Sequence, residues 1–422
     1  MSHIQSLSSL LDILLKDNNF ESVEHYFIYS VIWCFGGFLG EKDNINYKKC
    51  FDKYWKNNFK SIKVNRKISV FDFYVENNKF KEWDESEICN EIDDDYLLNN
   101  DIFVETVESC AYKYISKLFL KSDMPILFIG KTGVGKTLLC KKILSEEKDN
   151  FKTFYMIFNY YTTSKNVQAL MQSCLEKKSG KQFSPPYQQK LIYFIDDINM
   201  PKCDDYNTQS AIELLCQYID TNSWFDLDKL NLINILNTKL VSCMNYNRGN
   251  FTINPRLLRH FFILNINFPE NNTVNNIFSV LLKGHFNNFK QDVADIVPSI
   301  LKSTISLYYN IEKIFKRTAT HFYYEFNLRD IHSIIKGLLT ATPNTFQDCD
   351  KLLFLWLHEC ERVYSDKLNR DDKKIYKNII IDIIKKMYNK YEINKFVNKY
   401  DNYKDKKYYD EKNSKSYYDN KD

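Results

Sequence analysis

The run PILFIGKTGVGKTLLCKKIL, Pro125 to Leu144, constrains the fold more than any other stretch of the chain. An apolar segment leads straight into a glycine-rich turn and then into a helical pattern. Within it Gly130, Gly135, Lys136 and Thr137 satisfy the spacing G-x-x-x-x-G-K-[ST]. That spacing makes a cradle for an anion. Glycines let backbone N–H groups curl inward at a helix start, where the helix dipole favours negative charge. A lysine there neutralises the β- and γ-phosphates of a nucleotide, and the hydroxyl can ligate Mg²⁺. On this reading Gly130, Lys131, Thr132, Gly133, Val134, Gly135, Lys136 and Thr137 hold ATP or ADP, with Thr137 beside Mg²⁺.

Such a loop needs a carboxylate at the end of a second buried strand, and LIYFIDD (Leu191 to Asp197) supplies two. Asp196 is expected on the Mg²⁺ side, and Asp197 is placed to orient or deprotonate an attacking water. Other continuous apolar runs are FKTFYMIF (Phe151 to Phe158), KLVSCMN (Lys239 to Asn245) and FFILNINF (Phe261 to Phe268), separated by helical stretches such as TQSAIELLCQYI. Runs that are continuous instead of alternating indicate strands buried on both faces, as in a parallel α/β sheet.

Around residues 96–272, taken as this α/β domain, the chain divides by pattern. Residues 1–95 mix amphipathic helices with the strand-like ISVFDFYV and read as the end of a preceding module. Residues 273–375 carry apolar residues at three- and four-residue spacing and read as an all-helical unit. Residues 376–422 drift into Asn, Lys, Asp and Tyr, too polar to offset ordering entropy, and are expected to be a disordered tail. The greasy window Tyr26 to Gly40 is shorter than a bilayer span and is expected to be a buried helix, so no membrane partner is expected. A net charge of +4 argues against nucleic acid as a partner. Eleven scattered cysteines without a CxxC pair suggest reduced thiols in a cytoplasmic setting.

Weaker polar signals surround the site. Asn245, closing a strand-like run, is either a γ-phosphate or water contact or a turn residue. Arg256 and Arg259 in NPRLLRHFF, and Arg329 in FNLRDI, are candidates for a γ-phosphate contact, or ordinary surface and capping arginines. HECER has Arg362 where a zinc helix needs its second histidine, so no zinc site is expected; SPP at Ser184 to Pro186 reads as a rigid loop.

With these residues placed, the sequence resembles a dynein heavy chain, specifically the third of its six AAA+ modules. The resemblance is carried by FIDDINMP followed by YNTQSAIELLCQYIDTNSWFD, and by NPRLLRHFFILNIN, FNLRDI and HECERVYSDKLNRDD in that order. YFIYSVIWCFGG and VFDFYV resemble the close of the second module. It implies an AAA+ P-loop fold with sheet order 5-1-4-3-2 and a small helical lid. It further implies Asn245 as sensor I, Arg329 as sensor II, and Arg256 and Arg259 as arginine fingers for the neighbouring module. The spelling IDDINMP is similar to axonemal forms, implying a cytoskeletal location in the axoneme of a cilium or flagellum. The glycine-rich loop expected after sensor I is replaced by the poorer NYNRGNF.

A dynein heavy chain is far longer, so the chain is expected to be a fragment or partial gene model and not a motor by itself. Intermediate and light chains and microtubules would be partners only through the full-length motor. Two other readings stand beside this one: a stand-alone AAA+ remodelling ATPase that assembles as a homo-oligomer, and a degenerate P-loop protein that only binds a partner.

Overall fold

The five continuous apolar runs form five strands: β1 (Ile126–Gly130), β2 (Phe151–Ile157), β3 (Lys190–Asp196), β4 (Thr238–Met244) and β5 (Phe262–Ile266). They are mutually parallel and lie in the order β5-β1-β4-β3-β2, the 5-1-4-3-2 arrangement that the resemblance implies. Met244 pairs with Ile129 and Ile266 with Gly130, so three strands finish level at their carboxyl ends. That edge is where open α/β sheets bind ligands. The structure, a computed structural model, describes residues 2–16, 23–42, 45–59, 68–76, 79–83, 103–246 and 253–387.

Continuity of the apolar runs follows from cover on both faces. On one face Ile126, Phe128, Ile192, Phe194, Val241, Cys243 and Phe262 pack beneath α1 (Ser2–Lys16), α2 (Val23–Gly36), α3 (Tyr47–Asn58), α4 (Val107–Lys121) and α5 (Lys136–Glu146). On the other, Leu127, Leu191, Tyr193, Ile195 and Leu240 pack beneath α6 (Ser164–Ser173), α7 (Ser210–Thr221) and α8 (Pro255–Leu258). The described residues within 1–90 and 103–269 thus form one compact unit. The N-terminal segment, read from sequence as the end of a preceding module, shares its core with the sheet: Leu10, Tyr29 and Trp33 belong to the same cluster as Phe119 and Phe128. Helix α2 is the buried helix expected of the greasy window, with Tyr26, Ile32 and Trp33 all buried. Among the described residues no helix is long and apolar enough to cross a membrane.

A second compact unit begins at Glu270 in the described part of the chain. It holds α9 (Asn271–Phe286), α10 (Gln291–Ile314), α11 (Leu328–Leu338), α12 (Cys349–Val363) and α13 (Arg370–Met387). Trp356 is fully buried between helices, its Nε1 donating to Thr304 Oγ1 at 2.8 Å. The start of α11 is fixed by a capping box in which Asn327 and Asp330 satisfy each other's backbone N–H groups.

Helix α13 corrects the expected tail. Residues 376–387 are helical, and Tyr376, Ile380, Ile383 and Ile384 are buried at helical spacing. The surrounding lysines lower the mean apolarity, yet one stripe suffices to pack α13 on α10. The rest of that segment, 388–422, lies outside the described residues.

Candidate functional site

The turn between β1 and α5 is built by two glycines in left-handed backbone conformation, Gly133 at φ 75° and Gly135 at φ 93°. Gly135 caps α5, and a Cβ there would meet nothing within 4 Å, so the left-handed backbone and not crowding is what calls for glycine at this position. Lys136 is only 8% exposed, and its ammonium is folded into the loop, donating to the carbonyls of Gly130 at 2.9 Å and Lys131 at 2.7 Å. A cation folded into a glycine-rich turn at a helix start fits a polyphosphate.

Gly130 has a constraint of its own. A Cβ there would lie 2.5 Å from the carbonyl oxygen of Ile266 on β5, backbone against backbone. The first glycine of the motif is thus required by sheet packing as well as by the loop. Gly130→Ala is expected to destabilise the first unit by about 1–3 kcal/mol, the usual cost of overpacking. Chemical denaturation would read it, and a midpoint equal to that of the unsubstituted chain would show that β5 yields without cost.

Across the sheet, Thr137 Oγ1 donates to Asp196 Oδ2 at 2.8 Å, tying the first turn of α5 to the end of β3. This pairs the two oxygens expected beside Mg²⁺, a hydroxyl and a carboxylate, which suit a hard cation. Asp197 follows in a left-handed conformation, φ 53°, and its N–H donates to Asp196 Oδ1 at 3.1 Å. Asn245 directly follows β4 and is buried; its Nδ2 donates to Thr132 Oγ1 in the phosphate loop. The loop, Asp196, Asp197 and Asn245 are therefore gathered at the carboxyl ends of β1, β3 and β4.

Arg256 and Arg259 are not part of this group. They lie on and just after α8, ahead of β5 and so near the amino-terminal edge of the sheet, and both are exposed. Arg259 approaches Asp220 at 3.7 Å and donates to His260 Nε2 at 3.0 Å. Partial burial holds the His260 imidazole below its ordinary pKa, opposed by the Asp220 carboxylate. Arg329 is exposed in the first turn of α11, in the second unit, where its N–H donates to Asn327 Oδ1 at 2.9 Å. In HECER, Glu359 is engaged by Arg362 at 2.7 Å. Ser184 closes a short strand, and the turn Pro186–Gln188 then leads into β3. Residues 247–251 of NYNRGNF lie outside the described residues.

Three features of the site escaped the sequence reading. Lys131 pairs at 2.8 Å with Glu41, so the N-terminal segment reaches the phosphate loop. Cys140 on α5 and Cys243 on β4 stand 3.3 Å apart beneath the site, and burial pushes the Cys140 thiol well above its ordinary pKa. Asn199, the sixth residue of the FIDDINMP run and three past the end of β3, is buried against the end of β4. A polar residue between Ile198 and Met200 was the available signal.

Comparison with known proteins agrees with this geometry. Residues 92–269 match the model of the P-loop containing dynein motor region, 300–397 an AAA+ lid domain, and 1–85 the dynein heavy chain AAA lid domain. The chain is 88% identical over 395 residues to dynein heavy chain-like protein 2 of Plasmodium falciparum, covering 94% of this chain and 8% of that protein. It is 36% identical over 405 residues to the dynein alpha chain, flagellar outer arm, of Chlamydomonas reinhardtii, covering 93% of this chain and 9% of the relative. With human dynein axonemal heavy chain 17 the identity is 35% over 398 residues, 92% of this chain and 9% of the relative. The chain thus spans less than a tenth of the length of these curated relatives. A P-loop of this kind implies nucleotide binding, and the sheet order, the lid helices and the three matched segments agree that the chain belongs to the dynein heavy chain family, in its axonemal type.

Proposed function

We propose that the chain is an ATP-binding, slowly hydrolysing regulatory AAA+ module, the third of a dynein heavy chain, whose nucleotide state biases the ring of modules around it. The observation that carries the reading is the Thr137–Asp196 bond, which supports a shared metal contact for this hydroxyl and carboxylate next to the buried Lys136. Lys136 and the loop N–H groups would bind the β- and γ-phosphates, and Thr137 and Asp196 would hold Mg²⁺. When bound, the metal supplies charge neutralisation between phosphate oxygens. Asp197 would orient the attacking water or accept its proton, and Asn245 would contact that water or the γ-phosphate. Arg329, at the start of α11, is the proposed sensor II.

Exposed Arg256 and Arg259 suit a contact with the neighbouring module's nucleotide, because a planar guanidinium suits phosphate across an interface. Relatives named for cilia, flagella and the axoneme support a role in microtubule-based movement at the axonemal cytoskeleton. Intermediate and light chains and microtubules would be reached only through the full-length motor.

Calorimetric titration of the 422-residue chain is expected to show binding of both ATP and ADP with Mg²⁺. ATP affinity should fall by about an order of magnitude when EDTA removes the metal. Affinity that is indifferent to EDTA would remove Thr137 and Asp196 from the metal's first contacts.

A further inference from the structure

We propose that Asn199 is a positioning residue that locks Asn245 against the phosphate loop and thereby sets the preference for a nucleoside triphosphate over a diphosphate. The inference rests on the nucleotide-site reading above. Asn199 Nδ2 donates to the backbone carbonyl of Asn245 at 3.0 Å, and both residues are buried, Asn199 at 5% and Asn245 at 3% exposure. The side chain of Asn245 in turn donates to Thr132 Oγ1. A continuous path therefore runs from the turn after β3, through the end of β4, to the loop that would hold phosphate.

The turn carrying Asn199 is itself fixed from the β4 side. Ile198 N–H donates to the carbonyl of Cys243 at 3.1 Å, and the Ile198 side chain is fully buried. Met200 N–H donates back to the carbonyl of Asp197 at 3.1 Å, and Gln209 Nε2 donates to the carbonyl of Pro201 at 2.6 Å. These bonds surround Asp197, whose left-handed backbone persists only where its surroundings impose it. Strand pairing stops before residue 245: Met244 is the last paired residue of β4. At residue 245 Asn199 supplies a bond to the backbone carbonyl that strand pairing no longer provides.

Removing that donor should leave the phosphate loop intact and loosen only the Asn245 amide. The β-phosphate contacts are then unchanged, while any contact that exists only with a γ-phosphate is weakened.

The test measures dissociation constants for Mg-ATP and Mg-ADP in the 422-residue chain and in Asn199→Leu, a neutral replacement of similar shape without the donor. The ADP constant should stay within about twofold, and the preference for ATP should fall by about fivefold to tenfold, the scale of one buried hydrogen bond. In an Asn245→Ala background the same substitution should have no further effect, because its action runs through Asn245; simple destabilisation would add to that of Asn245→Ala. Asn199→Ala serves the same comparison if Asn199→Leu does not fold. Unchanged preference in the single variant, additive losses in the double variant, or equal affinity of the unsubstituted chain for ATP and ADP would each overturn the inference while leaving the nucleotide site in place. Absence of any nucleotide binding by the unsubstituted chain would overturn the site reading and this inference together.

Discussion

Lys136→Ala should lower affinity for Mg-ATP by roughly two to three orders of magnitude, the loss that follows when one member of a buried, hydrogen-bonded charge pair is truncated. The structure makes the size of the effect understandable. Lys136 is nearly inaccessible, and its ammonium is held on the Gly130 and Lys131 carbonyls, so the charge is already positioned before a ligand arrives. Alanine removes both the charge and its pre-organisation. Lys136→Arg should also bind weakly, because a planar guanidinium cannot occupy a site where a compact ammonium donates to two loop carbonyls at once. Titration calorimetry reads both variants, and thermal melting confirms that α5 is still folded. Equal affinity for Lys136→Ala and the unsubstituted chain would disprove the phosphate-loop assignment.

The sheet was legible because its strands are buried on both faces, which writes each as a continuous apolar run. The five runs from Pro125 to Phe268 became β1 to β5 with boundaries shifted by only a residue or two. Strand order is a different matter. Continuous burial says that a strand is covered on both faces but not which strands flank it, and 5-1-4-3-2 came from the resemblance alone. The grouping of the loop with Asp196 was legible for a chemical reason: a metal-side carboxylate has to follow an apolar strand, and LIYFIDD is the run that ends so.

Contacts between distant segments left no local trace. Glu41 and Lys131 are separated by 90 positions, and neither carries a pattern that marks the other as its partner. The shared core of the N-terminal segment was hidden for the same reason: Trp33 and Phe71 look like core residues of any domain, and Trp33's other ring partner, Tyr112, belongs to α4 of the α/β part. Helix α13 was hidden by averaging. Composition over a polar segment suggested disorder, whereas Tyr376, Ile380, Ile383 and Ile384 alone, read for period, mark one helical face.

The second large effect expected concerns Asp197, where a carboxylate one methylene longer than aspartate would reach further toward an attacking water. The shorter side chain withdraws the carboxylate by roughly 1.5 Å, one carbon–carbon bond, and misplacement by about 1 Å can lower a rate ~10²-fold. Asp197→Glu is therefore expected to raise single-turnover ATP cleavage by about one to two orders of magnitude, with binding nearly unchanged. The backbone sets a limit on the gain. Asp197 sits at φ 53°, a region that aspartate tolerates better than most residues through local hydrogen bonding. Glutamate loses part of that tolerance, at about 1 kcal/mol, and the bonds of Ile198 and Met200 must hold the turn against it. Asp197→Asn keeps the shape and removes the base, so it should change affinity little while slowing cleavage further. Rapid-quench measurement with protein in excess over ATP separates cleavage from product release. A cleavage rate in the unsubstituted chain equal to that of Asp197→Glu would mean that the shorter carboxylate already reaches its water, and a module acting as a slow nucleotide latch would give way to an ordinary ATPase.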